Sequence, residues 1–142
     1  MAWYAAAGIK ALGTAIKAKS TIAAIVAARV FQAGTVTEPT FPYVTFSDPF
    51  GGSAKHVLGS NTAYAADPHV QIDGWATAKA GAAQLLDAIM DLEGNELTVT
   101  GWGTGRLEGE GNNIVDEDEQ GEKVYHAIAR FRIFLVNTQG VG

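Results

Sequence analysis

Few side chains in this sequence could carry out chemistry, and their spacing does not assemble them into a known site. The three histidines lie far apart, and none has a second ligand at the spacing typical of a metal centre: His56, His69 and His126. Ser53 lies near His56, but no acid can be placed beside the two to complete a catalytic triad. The sequence contains no G-x-S-x-G elbow either. We therefore predict that this chain has no catalytic residues and is not an enzyme.

Acidic and glycine-rich stretches also lack the pattern of a binding site. The acidic run at residues 116–119 has neither the alternating ligands nor the central glycine of an EF-hand loop, so it predicts weak cation attraction at most. Residues 101–105 are rich in glycine, but they do not lead into a helix whose N-terminus could hold a phosphate. Asp87 and Asp91 are neighbours on the exposed face of a predicted helix, where solvation explains them. We predict no metal and no cofactor.

Composition indicates one globular domain, spanning residues 1–142. The chain is 47% hydrophobic and 18% charged, and it is long enough to bury a core without covalent staples. With no cysteine, it has no disulfide framework, thiolate zinc site or cysteine nucleophile. A net charge of −5 argues against general nucleic-acid binding, because neutralising phosphates requires a positive surface. No apolar run is long enough to span a membrane, which favours a cytoplasmic product without a membrane partner.

Charge is distributed unevenly along the chain. Residues 1–35 carry four cationic side chains and no acid, whereas residues 93–122 carry nine acids and a single arginine. Such a separation suits self-association or docking onto a charged partner. A solvated acidic loop is the alternative that the sequence leaves open.

Three helices are expected to position these residues. Alanine-rich residues 3–18 have apolar side chains at helical spacing and predict the first helix. Ser20 is expected to cap a second helix at residues 21–28. Thr77 is expected to cap a third, amphipathic helix at residues 78–92, which ends near a glycine.

Four strands complete the prediction. Residues 43–46, a part of 62–76, 97–102 and 123–136 have the β-branched, aromatic or alternating pattern of strands. Residues 103–122 hold five glycines and most of the acids, and they predict a mobile acidic arm, either a long loop or an extended hairpin. The order α-α-β-β-α-β-β predicts an α+β fold with a four-stranded, mainly antiparallel sheet and helices packed on one face.

Two arginines in the middle of the last strand allow two interpretations. Arg130 and Arg132 could pair with Asp73 or Gln71 on a neighbouring strand, where an exposed pair contributes at most about 1 kcal/mol. Alternatively, this face of the sheet is a subunit interface, because arginine among apolar residues is common in interfaces. Both interpretations stay open. The residues predicted to form a subunit or partner interface are Arg130, Arg132, Asp73, Lys10, Lys17, Asp116, Glu117, Asp118 and Glu119.

Several segments match a known family in their order and spacing. They are Ser20–Val26, 29–31, 41–45, His69–Ala76, 80–92 and 125–132. In these segments the chain resembles the tail terminator, or tail completion, family of long-tailed bacteriophages of the siphovirus type. The resemblance runs over residues 1–136.

The resemblance implies a non-catalytic α+β subunit of the virion. It implies a hexameric ring on the head-proximal end of the tail tube, which ends tube polymerisation and provides the surface for head attachment. The partners implied are the tail tube protein and a head-tail connector or stopper protein, met in the host cytoplasm during assembly. Phage DNA would pass through the lumen without specific binding, because an acidic lumen repels it.

Two other classes stay open beside a tail terminator. One is another ring protein of the neck, such as a head-tail joining or stopper protein. The other is a small ligand-binding α+β domain, which a deep pocket with convergent polar groups would favour. A ring requires two unlike surfaces on each subunit, and a basic first helix and an acidic arm would supply them.

Overall fold

Three helices and two sheets make up the described part of the chain. The structure is a computed structural model, and it describes residues 5–35, 40–47, 54–56, 63–99, 103–119 and 122–136. The helices are α1 (Ala5–Ala18), α2 (Ser20–Val26) and α3 (Lys79–Met90). The strands are β1 (Val30–Gln32), β2 (Tyr43–Phe46), β3 (Ala54–His56), β4 (Ala63–Ala66), β5 (His69–Ala76), β6 (Glu96–Val99), β7 (Gly103–Glu119), β8 (Glu122–Ile133) and β9 (Leu135–Val136).

The larger sheet has six strands in the order β1-β2-β5-β8-β7-β6, and it is curled into a half-barrel. β1 and β2 are parallel, whereas the other neighbours in this sheet are antiparallel. β3, β4 and β9 form a second, three-stranded sheet. The prediction of a four-stranded, mainly antiparallel sheet is therefore wrong, as is the predicted element order, although the α+β class is compatible with the structure.

Short strands explain much of this error. β1 and β3 have three residues each, and β9 has two, so none contains enough alternation to be recognised from sequence. β1 forms because its backbone pairs in parallel with β2, Val30 opposite Val44. Such a pairing depends on the position and direction in which the chain leaves the end of α2, and the local sequence does not encode these.

The helices pack on the inner face of the curled sheet. α3 buries Ala82, Leu85, Ala88 and Ile89 and contacts β5 and β8. Gly74 of β5 lies under this helix, where a Cβ atom would come within 2.7 Å of the Leu85 side chain. α1 contacts both β1 and β6, which are opposite edges of the sheet, so the sheet must curl towards α1. Full burial of Leu12 and Ile16 on α1 contributes about 1.5–3 kcal/mol for each side chain.

Neither predicted helix cap makes the expected hydrogen bond. α2 begins at Ser20 with Lys19 as its N-cap, and α3 begins at Lys79 with Ala78 as its N-cap, without a side-chain cap hydrogen bond in either case. Lys19 instead donates to Asn95 and forms an ion pair with Asp91 beyond the end of α3. Tertiary contacts thus hold the start of α2 without a side-chain cap.

The acidic arm, residues 103–122, is an extended hairpin in its described residues. β7 pairs with β8 from Leu107 opposite Ile133 to Glu119 opposite Glu122, with a bulge between Gly109 and Gly111. At its base the arm lies inside the sheet, where Leu107 is fully buried and β6 pairs with β7 on its other side. Of the two forms expected from sequence, this is the hairpin, whereas mobility of the arm stays a prediction. Residues 101–102 of the glycine-rich stretch at 101–105 lie outside the described residues.

Candidate subunit interface

The face of the six-stranded sheet that points away from the helices carries three of the nine predicted interface residues: Asp73, Arg130 and Arg132. Strand alternation turns Val70, Ile72 and Gly74 of β5 towards the helices and the intervening side chains outwards. We call this opposite surface the outer face. Its side chains on the two central strands are His69, Gln71, Asp73 and Trp75 of β5 and His126, Ile128, Arg130 and Arg132 of β8.

A row of stacked rings crosses one end of the outer face. Tyr43 of β2 stacks on Trp75 of β5 at a centroid distance of 5.9 Å, and Trp75 stacks on His126 of β8 at 3.7 Å with an interplanar angle of 10°. The indole Nε1 of Trp75 donates a hydrogen bond of 3.1 Å to Oγ1 of Thr45. Because adjacent rings come from different strands, the row joins β2, β5 and β8 by side chains as well as by backbone.

His126 is held between two carboxylates. Its Nε2 lies 2.8 Å from Oδ1 of Asp73 on β5, and its Nδ1 lies 3.2 Å from Oε1 of Glu117 on the acidic arm. Burial opposes protonation of His126, but the hydrogen bonds to Asp73 and Glu117 and their negative charges outweigh it, so the pKa of His126 is raised above 6.5. The protonated ring can donate to both acids at once, and it ties the arm to the centre of the sheet.

Because the pKa of His126 is raised in the folded state, folding stability depends on pH. The folded state binds this proton more tightly than the unfolded chain, so its contribution is complete below about pH 6.5 and is lost as the pH rises through the folded-state pKa. We expect the free energy of unfolding, measured with urea at several pH values, to fall above about pH 6.5. In His126→Gln this component of the decline should disappear, and in Glu117→Gln it should be smaller. An identical decline in His126→Gln and the wild type would contradict the assignment.

Only one of the two arginines has a partner that the sequence predicted. Arg130 donates from Nε to Oε1 of Gln71 at 3.3 Å, as one of the predicted pairings proposed. Arg132 instead pairs with Glu108 of β7 at 3.2 Å, and both side chains are about half exposed, so the pair contributes little to stability. Asp73 contacts His126 and not an arginine. Within the described ranges, Arg130 therefore has no carboxylate partner.

A shallow groove lies beside Arg130. It has a volume of about 410 Å³ and is lined by His69, Val70, Gln71, Glu110 and Arg130. His69 and Glu110 form an ion pair across it when the histidine is protonated. Beyond the end of β8, Phe134 is 50% exposed, a large hydrophobic side chain in contact with water.

The remaining predicted interface residues lie on two other elements. Lys10 and Lys17 are exposed on α1, and neither has an ion pair with the other residues that the structure describes. On the acidic arm, Asp116 lies 4.0 Å from Lys123, and Glu117 contacts His126. Asp118 and Glu119 belong to the end of β7. The structure thus brings Asp73 and Glu117 together through His126 and leaves the lysines separate from the acids.

The sequence did not predict the row of stacked rings or the position of His126 between Asp73 and Glu117. Alternation along residues 69–76 placed Asp73 and Trp75 on one side of a strand, which was the available signal. Their contact with His126, 53 residues after Asp73, depends on the register of β5 against β8, where Trp75 is opposite His126. Register of strands so far apart is not encoded locally.

Two kinds of feature are absent from the described residues. These residues contain no group of three His, Asp or Glu side chains close enough to hold a metal ion. In the same ranges, no helix is long and apolar enough to cross a membrane.

An outer face with stacked rings and arginines, together with an exposed phenylalanine just beyond the end of β8, is typical of a protein that contacts other proteins. The family model of the tail completion protein gp17 matches residues 10–135, so the chain belongs to this family. It is a structural protein of a bacteriophage-type tail. No curated protein has significant sequence similarity to the chain.

Solved structures share the fold at low sequence identity. A chain from the virion of a native gene transfer agent particle matches with a TM-score of 0.70 at 18% identity, covering 94% of this chain and 96% of that chain. A second solved chain matches with a TM-score of 0.51 at 14% identity, covering 90% of this chain and 91% of its own length. At these identities the similarity shows the fold alone.

Proposed function

We propose that this protein assembles into a hexameric ring on the head-proximal end of the tail tube, where it ends tube polymerisation and provides the surface for head attachment. Family membership supports a role in tail completion. The observation that supports the ring is Arg130 on the outer face, which has no described carboxylate partner, with the half-exposed Phe134 just beyond the end of the same strand. Arginine and aromatic side chains are enriched where interfaces gain most of their binding energy.

The ring acts without catalysis, through contacts with the tail tube protein on one side and a connector or stopper protein on the other. A closed ring repeats one contact between two unlike surfaces of the subunit. The acidic arm beside the outer face is one candidate surface, and the basic face of α1 is another, with Lys10 and Lys17 exposed. Phage DNA passes through the lumen without specific binding, which the net charge of −5 favours by repulsion.

Tube growth gives a direct test. Purified protein is added to tail tube protein during polymerisation, and tube lengths are measured by negative-stain microscopy. We expect tubes to stop growing and to carry a six-fold ring at one end, because a bound ring occupies the surface that the next layer of tube subunits requires. Buffer alone and Phe134→Ala at the same concentration are the controls, and the variant should cap fewer tubes. Unchanged tube length together with binding to filled heads would identify a stopper or other neck protein instead.

A further inference from the structure

β6 is an edge strand with one open side. Within the described residues it pairs with β7 alone, through Glu96 to Val99. The N–H of Leu107 donates to the carbonyl of Asn95, so alternation directs the backbone groups of Leu97 towards β7 and those of Glu96 and Thr98 away from it. The open side thus presents donors and acceptors to which another strand can bond.

A groove of about 430 Å³ runs between this strand and α1. Its lining combines small apolar and polar side chains from both elements: Lys10, Ala11, Thr14, Ala15, Ala18, Glu96, Leu97 and Thr98. Lys10 and Lys17 are exposed on the same helix. The groove therefore has room for a few residues of an extended segment, and Lys10 places a positive charge on its helical wall.

The acidic arm has the complementary features. The pairing of β6 with β7 covers residues 103–106 of β7 and ends at Arg106. Residues 108–119 of β7 therefore have β8 on one side and no described strand on the other. Six acidic side chains lie in this stretch. The arm cannot fill the groove of its own chain, because its first residues already pair with the opposite edge of β6 and the remainder continues along β8.

We propose that residues 108–119 of one copy dock in the groove between α1 and β6 of a neighbouring copy. The occupant is a second copy of this chain, selected by pairing of two open strand edges and by attraction between the acids of the arm and the lysines of α1. Such a contact joins two different surfaces, so it propagates head to tail and closes into a ring. This inference rests on the proposed ring and names the segment that joins its subunits.

Cysteine pairs test the contact, because the wild-type chain contains no cysteine. A Thr98→Cys variant is mixed with Asn112→Cys, Asn113→Cys or Asp116→Cys, each exposed on the arm. After mild oxidation we expect a disulfide-linked heterodimer with at least one arm position, since disulfides require Cα atoms within about 7 Å. Ala83→Cys on the exposed side of α3 is the matched control and should give little linked product.

Charge reversal supplies a second measurement. Lys10→Glu combined with Lys17→Glu should remove most of the Thr98-linked heterodimer while leaving the circular dichroism spectrum unchanged, because both side chains are exposed. Ring mass is followed in parallel by native mass spectrometry. Rings without linkage at any arm position would overturn the docking of the arm and leave the proposed function standing. Absence of both rings and linkage would overturn the docking of the arm and the proposed function. Equal linkage with the Ala83→Cys control would overturn the docking, because it would show that the disulfides form by random collision.

Discussion

Phe131→Ala is expected to lower the free energy of unfolding by about 3–5 kcal/mol. Phe131 is fully buried two residues before the end of β8, and among the described residues it is the largest fully buried side chain. Its removal loses the transfer energy of the ring and leaves a cavity under strands that pair on both sides of β8. A natural domain is stable by about 5–15 kcal/mol, so this one change removes a large part of the total. Urea unfolding followed by circular dichroism measures it.

Phe134→Ala is the matched control, because the same residue type three positions later is 50% exposed. We expect a change of less than about 1 kcal/mol in unfolding, since an exposed ring loses little contact when it is truncated. Ring formation should nevertheless weaken if Phe134 contributes to the interface. Equal destabilisation by the two substitutions would show that Phe134 is part of the core, and it would remove Phe134 from the proposed contact surface.

Arg130→Glu is expected to abolish ring formation at concentrations where the wild type is fully assembled. Arg130 is exposed, and its described hydrogen bond is to the neutral Gln71, so its positive charge is available to a partner molecule. Reversal replaces attraction with repulsion, and truncation of one partner in a buried interfacial charge pair already costs about 2–5 kcal/mol. At about 1.4 kcal/mol for each tenfold change, this corresponds to an affinity loss of roughly 30-fold or more at every contact. Native mass spectrometry across a dilution series measures the loss.

Lys79→Glu is the charge-matched control for Arg130→Glu. Lys79 is exposed at the start of α3, on the side of the sheet opposite to Arg130, and an acid is favourable in the first turn of a helix. This variant should assemble as the wild type does. If Arg130→Glu also forms rings of unchanged mass and dilution behaviour, the outer face is not the subunit contact. The hydrogen bond to Gln71 within the same chain is then sufficient to explain the position of Arg130.

The outer face and the acidic arm are connected by side-chain contacts, so ring assembly and folding stability depend on some of the same residues. Glu117 of the arm holds His126, and His126 stacks on Trp75 at one end of the face. Docking of the arm on a neighbour would therefore act on the same hydrogen-bonded cluster that stabilises the fold. The pH dependence of unfolding and that of ring formation should share the contribution of His126.

Prediction from sequence succeeded where the signal is local. The three helices lie within a few residues of their predicted positions, because apolar spacing and alanine content act over a few turns. Alternation along β8 correctly separated the buried Ala129, Phe131 and Ile133 from the exposed Arg130 and Arg132. Segment order over most of the chain was sufficient to indicate the family, and the family model confirms it.

Prediction was wrong, or left two forms open, where the outcome depends on pairing between distant segments. β1 is too short to show a period, and it is a strand because β2 lies beside it. The composition of residues 103–119 is unfavourable for a strand, since glycines and acids bury little apolar surface, yet β8 supplies a complete edge with which they pair. A backbone template from β8 therefore overrides a weak local preference.

By itself, the sequence determined the α+β class, the helix positions, the polarity of charge along the chain and the buried and exposed faces of β5 and β8. These properties depend on neighbours within a few residues, through helical or strand periodicity. Only the tertiary structure decided the six-stranded curled sheet, the clamp of His126 between Asp73 and Glu117, and the open edge of β6 beside α1. Each depends on register and curl between distant segments, whose free energy comes from contacts that exist only once the chain has folded.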